Sequence, residues 1–455
     1  MNKLQVGFSR VDVTPALGLP IAGYFHRRDV EGILDPQEVC AIALQVEDTK
    51  VLMLSFDNCH VPTKECKIIR QEISEATGVP YDAIFIHSTH NHTSPYILSE
   101  VDDVDYFGAD KVEPLMEYFR FVKRRMVDVS VYALADCQPA KMGWAIGKAE
   151  NIAFVRRFRM KDGKIRTNPG VGNPDILHPI GDVDERLNVL RFDREKDTVV
   201  LANFGNHPDV VGGNLASCDW PGFLRRRVEK ALDDVKCIFF NGMQGDVNHV
   251  NVKATGGDFN DMFNDFDDVA RGYGHARHMG NVMAGAVLSV YDKVNYVDVD
   301  SLRFIQTVAS MPSNMPNPED LPLAREYNRL HAEGRDDLIP YEGMELTTVV
   351  AEAGRMLRLE HGPESFEMGL GAIALGNVAF IAVPGEPFTG IGRSLKLAEG
   401  WDVVLPMCLT NGSEGYFPMR EAYDEGGYEA RSSRFKAGVA EQIIAEGTAL
   451  LDQLR

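Results

Sequence analysis

The sequence predicts an α/β protein in which mixed, partly parallel sheets are covered by helices, organised as one large domain over residues 1–455. Three observations carry this. An apolar run ending at Asp57, an amphipathic stretch at about 62–77 and a second apolar run at Ile84-Phe85-Ile86 give a strand, helix, strand order. That order asks for a parallel pair with the helix on its face. Residues 139–206 then read mainly as β structure. Finally, apolar runs at 84–86, 199–204 and 237–240 each end in a polar cluster holding His or Asp, the position at which open α/β sheets hold ligands.

Composition narrows the function classes. Apolar residues make up 44% of the chain and charged residues 25%, the proportions of a folded globular protein. The formal net charge of −20 argues against a general nucleic-acid or anionic-membrane binder. Length alone suggests about three ordinary domains, but large α/β chains also run as one, and no repeat or low-complexity linker divides this one. The cysteines at 40, 59, 66, 137, 218, 237 and 408 show no Cys-x-x-Cys spacing, so neither a disulfide framework nor a structural zinc knuckle is expected. The first residues enter a strand pattern at once, and no later segment has about 18 unbroken apolar residues. The expectation is a cytoplasmic protein without an integral membrane segment, unless a leader has been removed.

Taken in order, Val6-Gly7-Phe8-Ser9-Arg10-Val11-Asp12-Val13 reads as a strand that stops at Thr14-Pro15, before a Gly- and Pro-rich loop through Gly23-Tyr24-Phe25-His26. Strands at about 39–47 and 50–57 form a hairpin. The helix at about 62–77 leads to the strand at 84–88, a polar loop with Asp102, Asp103 and Asp105, and a helix at about 110–135. A hairpin turning at Lys161-Asp162-Gly163-Lys164 precedes strands at about 187–193 and 198–205. A helix at about 219–234 opens with Asp219 as its N-cap, and a strand at 237–240 follows.

The acidic stretch at about 256–268, with Asp258, Asp261, Asp265, Asp267 and Asp268, lacks the EF-hand spacing and its closing Glu, so it reads as a solvated insertion. It precedes a helix at about 269–292 on which His275 and His278 stand at i, i+3, a metal pair by geometry or two residues of the polar face. Prolines at 312, 316, 318 and 322 mark a connection before a charged helix. Strands at about 366–374, 377–383 and 402–408 and a helix from about 433 complete the chain.

The densest chemistry lies in Ile84-Phe85-Ile86-His87-Ser88-Thr89-His90-Asn91-His92-Thr93-Ser94-Pro95. Alternate residues of an extended backbone point the same way, so His90 and His92 can offer two imidazoles to one point. Neutral imidazole binds zinc, and a catalytic zinc needs about three protein ligands and an open position. The alternative is a polar strand end with one His bonded in the interior. Two further apolar runs repeat the pattern, one ending in Gly205-Asn206-His207-Pro208, the other in Asn241-Gly242-Met243-Gln244-Gly245-Asp246-Val247-Asn248-His249. Three such endings point to one shared site. Glu386 stands between a strand and a helix, where a carboxylate also suits a helix N-terminus.

Gly7-Phe8-Ser9-Arg10-Val11-Asp12-Val13-Thr14-Pro15, the stretch from Thr89 to Pro95, His207-Pro208, Gly245-Asp246-Val247, Pro384-Gly385-Glu386 and the region of Tyr416 follow one another along nearly the whole chain. Together they resemble the neutral/alkaline, non-lysosomal ceramidase family. The resemblance implies a zinc-dependent amidohydrolase with one zinc per chain, held by His90, His207, Glu386 and Tyr416. It implies further that His92 and Arg156 line the reaction centre. Tyr416 rests on the resemblance, because spacing does not separate it from Tyr423 or Tyr428. As a ligand its phenol, ordinarily with a pKa of about 10, needs the metal.

Two departures shape the expected substrate. Family members active on ceramide carry a serine after Gly-Asp-Val, where this chain has Asn248. An asparagine cannot be an acyl-accepting nucleophile, although its amide can position substrate or water. The family's C-terminal β-sandwich also finds no room here, which turns the expectation away from ceramide itself.

The implied mechanism uses metal-activated water. Arg156 stabilises the developing oxyanion or binds a polar group of the substrate, and His92 passes a proton to the leaving amine or alcohol. Asp219 and Asp246 either orient a ligand imidazole or serve as a helix cap and a turn residue. Three readings stand: a ceramidase-like hydrolase of N-acyl linkages in a sphingolipid-like molecule, the same chemistry on a small soluble N-acyl or O-acyl compound, and a non-catalytic metal- or ligand-binding descendant.

Overall fold

The computed structural model describes residues 3–253 and 271–455, and the acidic stretch at 256–268 lies outside the described residues. Leu4–Asp12 (β1) pairs antiparallel with Glu38–Val46 (β2), which turns back into Thr49–Phe56 (β3). The helix Thr63–Thr77 (α1) buries Cys66, Ile69 and Ile73 and ends at Gly78, whose φ of 70° suits a residue without a Cβ. It returns the chain to Ile84–Ser88 (β4), parallel to β3 and buried at every residue. A strand covered on both faces has no polar alternation, which is why this one reads as an unbroken apolar run.

The helix Ala109–Ala135 (α2) lies on β1 and β2, so close that a Cβ on Gly7 would meet the carbonyl oxygen of Ala133 at 1.8 Å. Gln138–Lys148 (β5), Arg186–Arg194 (β6) and Thr198–Phe204 (β7) pair antiparallel, each with the next. Asp219–Ala231 (α3) then crosses to Val235–Asn241 (β8), parallel to β7. Tyr273–Tyr291 (α4) packs on α3 and on β5 and β6.

These strands form a sheet in the order β8-β7-β6-β5-β1-β2-β3-β4, with Asn295–Val297 added beside β5. Its parallel pairs stand at its two ends, and the pairs between them are antiparallel. After Leu302–Pro312 (β9) come two helices, Leu321–Ala332 (α5) and Gly343–Leu359 (α6). Ser365–Leu375 (β10), Val378–Ala382 (β11), Thr389–Leu395 (α7) and Val403–Met407 (β12) follow. A second sheet, β9-β10-β11-β12, ends in the parallel pair β11/β12. The fold class is therefore the mixed, partly parallel α/β arrangement expected from sequence.

The segment after β12 joins the sheets. The amide of Cys408 donates to the carbonyl of Asn241 at 3.1 Å, and that of Ser88 to the carbonyl of Leu409 at 3.1 Å. The amide of Asn203 bridges the carbonyls of Phe240 and Pro406. His87 is a structural member of this junction. Its Nε2 accepts from the amide of Asn241 at 2.8 Å, so its Nδ1 donates to the carbonyl of Cys408. The C-terminal ends of β4, β8 and β12 thus gather in one place.

Three local expectations change. Asp219 is not an N-cap: Cys218 precedes the helix, and Asp219 itself has a φ of 52°. The last helix is Val439–Gln453 rather than one from about 433, because Ser433–Phe435 is drawn off to a β-bridge between Phe435 and Ser313. The helix Gly343–Leu359, which no motif announced, packs on α5 and on the short helix Tyr428–Ser432.

Candidate functional site

Each strand, helix, strand unit delivers a side chain to one cluster. Beyond β4 the backbone turns sharply at His90, whose φ of 80° is rare for a residue with a Cβ and stores strain. The turn is held by Asn58, whose carbonyl accepts from the amide of His90 at 2.8 Å. Beyond β7, His207 is kept out of a helix by Pro208. Beyond β11, Glu386–Pro387 forms a two-residue parallel pair with Tyr416–Phe417, which sets Glu386 directly opposite Tyr416.

The Nε2 atoms of His90 and His207 lie 3.2 and 3.1 Å from the same Oε2 of Glu386. These donor atoms all lie within 4.8 Å of one another and belong to buried residues, a set that can hold a metal ion. The Nδ1 of His90 faces the carbonyl of Cys59 at 2.8 Å, and that of His207 the carbonyls of Gln244 and Val247, each at 3.0 Å. A carbonyl only accepts, so both Nδ1 atoms carry a proton and both Nε2 atoms turn toward Glu386. This is the arrangement that outer partners impose on metal-binding imidazoles. Burial would raise the Glu386 carboxyl, but His90, which this carboxylate in turn holds well above the ordinary histidine value, keeps it well below the usual range. Burial and the neighbouring Arg156 guanidinium push His207 down to about 4, keeping it neutral.

The other residues singled out from sequence divide into two groups. His92, Arg156 and Tyr416 border the cluster. His92 Nε2 stands 3.3 Å from His90 Nε2, and its Nδ1 is 3.6 Å from Asp209. Burial keeps His92 well below the ordinary histidine value. Gly23, at φ 105°, passes so close that a Cβ would meet His92 Nδ1 at 2.7 Å. Arg156 Nη1 lies 3.3 Å from His207 Nε2. The ring of Tyr416 stacks on His207 at 6.5 Å, and Tyr428 meets Tyr416 edge-on at 5.5 Å. Tyr423 is turned away, donating to the carbonyl of Phe435.

Asp219, Asp246 and Asn248 are engaged elsewhere. Asp219 accepts from the amides of Val210, Val211 and Trp220, tying down the loop after His207. Asp246 accepts from the amide and hydroxyl of Thr389, fixing the start of the helix after Glu386. The expectation that these carboxylates orient a ligand imidazole is corrected: backbone carbonyls do so, because the histidine-bearing turns fold back on the chain. Asn248 donates to Asn168 at 2.9 Å. His275 and His278 lie with His249, at ring separations of 6.0 and 5.9 Å along that row, rather than in the cluster.

Sequence reasoning missed Cys59, Asp209, Tyr24, Gln244 and Glu429. Cys59 forms a second potential metal-holding group with His90 and His92, and although burial raises its thiol, His90 and His60 bring it down to about 7. Asp209 accepts from Tyr24 and Arg271 beside His92. Gln244 Nε2 reaches Glu386 Oε2 at 3.4 Å, and Glu429 pairs with Arg156 at 2.6 Å. Of these only Gln244 lay inside a strand-end cluster, where position offered a signal, and Asp209 follows directly after another.

No helix among the described residues is long and apolar enough to cross a membrane. No family model and no curated protein sequence matches the chain. Among the solved structures that match are two ceramidases. One is neutral ceramidase from Pseudomonas aeruginosa, with a TM-score of 0.73 at 15% identity over 100% of this chain and 75% of that one. The other is described as ceramidase complexed with C2, with a TM-score of 0.70 at 14% identity over 100% of this chain and 76% of that one. With every strand, helix, strand unit inside that overlap, the chain has the fold of neutral ceramidase.

Proposed function

We propose that this chain is a zinc-dependent hydrolase that cleaves an N-acyl linkage by attack of water, with His90, His207, Glu386 and Tyr416 holding one zinc. The observation that carries the reading is the convergence of two Nε2 atoms and one carboxylate oxygen, with both rings oriented by backbone carbonyls at Nδ1. Two imidazoles and a carboxylate are a donor set that zinc takes readily, and the Tyr416 phenol, across from Glu386 in the short parallel pair, would be the fourth ligand. Zinc bound there supplies Lewis acidity and lowers the pKa of a bound water toward about 7.

The chain's own residues supply the rest. Arg156, charged at every working pH, faces the cluster through Nη1 and can receive the oxyanion that develops on the acyl carbonyl. His92, neutral and bordering His90, can take a proton and deliver it to the leaving nitrogen. Asn248 supplies no nucleophile, and its amide is spent on Asn168 and the backbone amide of Val250.

A second reading keeps the chemistry and changes the substrate to a small soluble amide or ester. It is favoured by Asn248 and by the wall beside His92, where Asp209, Arg271 and Tyr24 form a charged and polar group. Metal content of the purified protein beside His90→Ala tests the centre. A screen of ceramides against short N-acyl and O-acyl compounds separates the two substrates. Turnover that is abolished by chelation and restored by zinc excludes a non-catalytic binding role, whereas a parent that takes up no zinc overturns the proposal.

A further inference from the structure

The donors of the Arg156 guanidinium are used unequally. Nε donates to Oε1 of Glu429 at 2.6 Å and Nη2 to the carbonyl of Gly245 at 2.7 Å, which together fix the plane of the group. Nη1 remains directed at the cluster, 3.3 Å from His207 Nε2. Glu429 is 0% exposed, and its second oxygen accepts from the hydroxyl of Thr167 at 2.8 Å. The same hydroxyl accepts from the amide of Tyr428 at 3.3 Å. One short helix, Tyr428–Ser432, therefore grips Arg156 through Glu429 and backs Tyr416 through Tyr428.

A permanent cation beside a dication site is an electrostatic conflict unless something balances it. The centre has two carboxylates to hand. Glu386 faces the imidazoles, and Glu429 stands on the far side of the guanidinium, its own hydrogen bonds made with Arg156 and Thr167.

We propose that Glu429 is the positioning residue of this centre: it selects which donor of Arg156 faces the ligand cluster and cancels the guanidinium charge, so that a divalent cation can be held next to it. This rests on the zinc reading above. Removing the charge of Glu429 while Arg156 remains leaves an uncompensated cation against the ion. Removing both leaves none, and apolar replacement of a buried ion pair is commonly tolerated by the fold.

The test is zinc affinity, measured by competition with a chromophoric chelator on the folded parent, Glu429→Gln, Glu429→Asp and the double variant Arg156→Met with Glu429→Met. Glu429→Gln is expected to bind zinc at least about tenfold more weakly. The double variant and Glu429→Asp, in which charge stays balanced, are expected to bind as the parent does. Recovery in the double variant is the feature that a merely architectural role for Glu429 cannot produce. Parental affinity in Glu429→Gln, or affinity in the double variant as weak as in the single, overturns the proposal. If Glu429→Gln does not fold, weakened binding in either balanced variant overturns it. A parent that binds no zinc overturns the zinc reading and this proposal together, which sets that failure apart from the others.

Discussion

The Nε2 of His207 lies 3.1 Å from the Oε2 of Glu386, although the two side chains leave from strands of different sheets. Their meeting depends on the segment after β12, which is hydrogen-bonded to the ends of both β4 and β8. Neither sheet alone contains the site.

Losing His207 removes one of the two imidazoles that face Glu386. His207→Ala is expected to lose bound zinc and hydrolytic activity together, by more than the about 10- to 100-fold that loss of an outer partner costs. Elemental analysis and turnover of N-acyl compounds check this, and a metal-replete, active variant would sink the ligand assignment.

Zinc binding should also register as stability. A ligand at 100 times its Kd adds about 2.7 kcal/mol to the folded state. The melting temperature of the parent is expected to rise by a few degrees on zinc addition and to fall back with a chelator. His90→Ala should show no such response in the same melts.

Gly245 is required by a close approach of two chain segments. A Cβ there would meet the carbonyl oxygen of Glu386 at 2.4 Å, while the amide of Gly245 donates to the carbonyl of Pro387 at 2.8 Å. Gly245→Ala must push the Glu386 backbone away. We expect a loss of about 1–3 kcal/mol in denaturant titration and weaker zinc binding. Gly369→Ala, whose Cβ would meet nothing within 4 Å, is the control that should leave zinc affinity unchanged.

A pH dependence follows from Asp184, which ties Lys396, just after α7, to Arg186 on β6. Burial would raise its carboxyl, but Arg186 and Lys396 hold it at about 2, below the ordinary 3.8. A folded-state pKa below the unfolded one adds stability above the unfolded value, and that stability is lost as pH falls through the folded value. Asp184→Asn is therefore expected to cost about 2 kcal/mol at pH 7. The gap between parent and variant should close as the pH falls from about 4 to about 2. Urea titrations across that range decide it, and a gap that persists at the lower end would contradict the assignment.

Much of the fold was legible because periodicity and strand-helix order are local properties. The hairpin at 38–56, the helix at 63–77 and the parallel return to Ile84 all follow from apolar spacing and a few turn residues. The final helix was misplaced because a long-range β-bridge to Ser313 outcompeted the helical pattern near Phe435. The N-cap role of Asp219 failed for a similar reason: one carboxylate oxygen is drawn to the amides of Val210 and Val211 in the loop after His207, and Cys218 takes the capping position.

The sequence by itself determined the α/β class, the three strand ends that carry His or Asp, and the exclusion of a serine nucleophile at Asn248. Those features reside in residue type and short-range order. Tertiary structure alone decided that Tyr423 is turned away while Tyr416 stacks on His207 and Tyr428 backs Tyr416, and that carbonyls rather than Asp219 and Asp246 orient the imidazoles. It also decided that Glu429 holds Arg156. These are contacts between segments far apart in the chain, fixed by the junction of two sheets, and no local pattern encodes which distant atom a buried donor will meet.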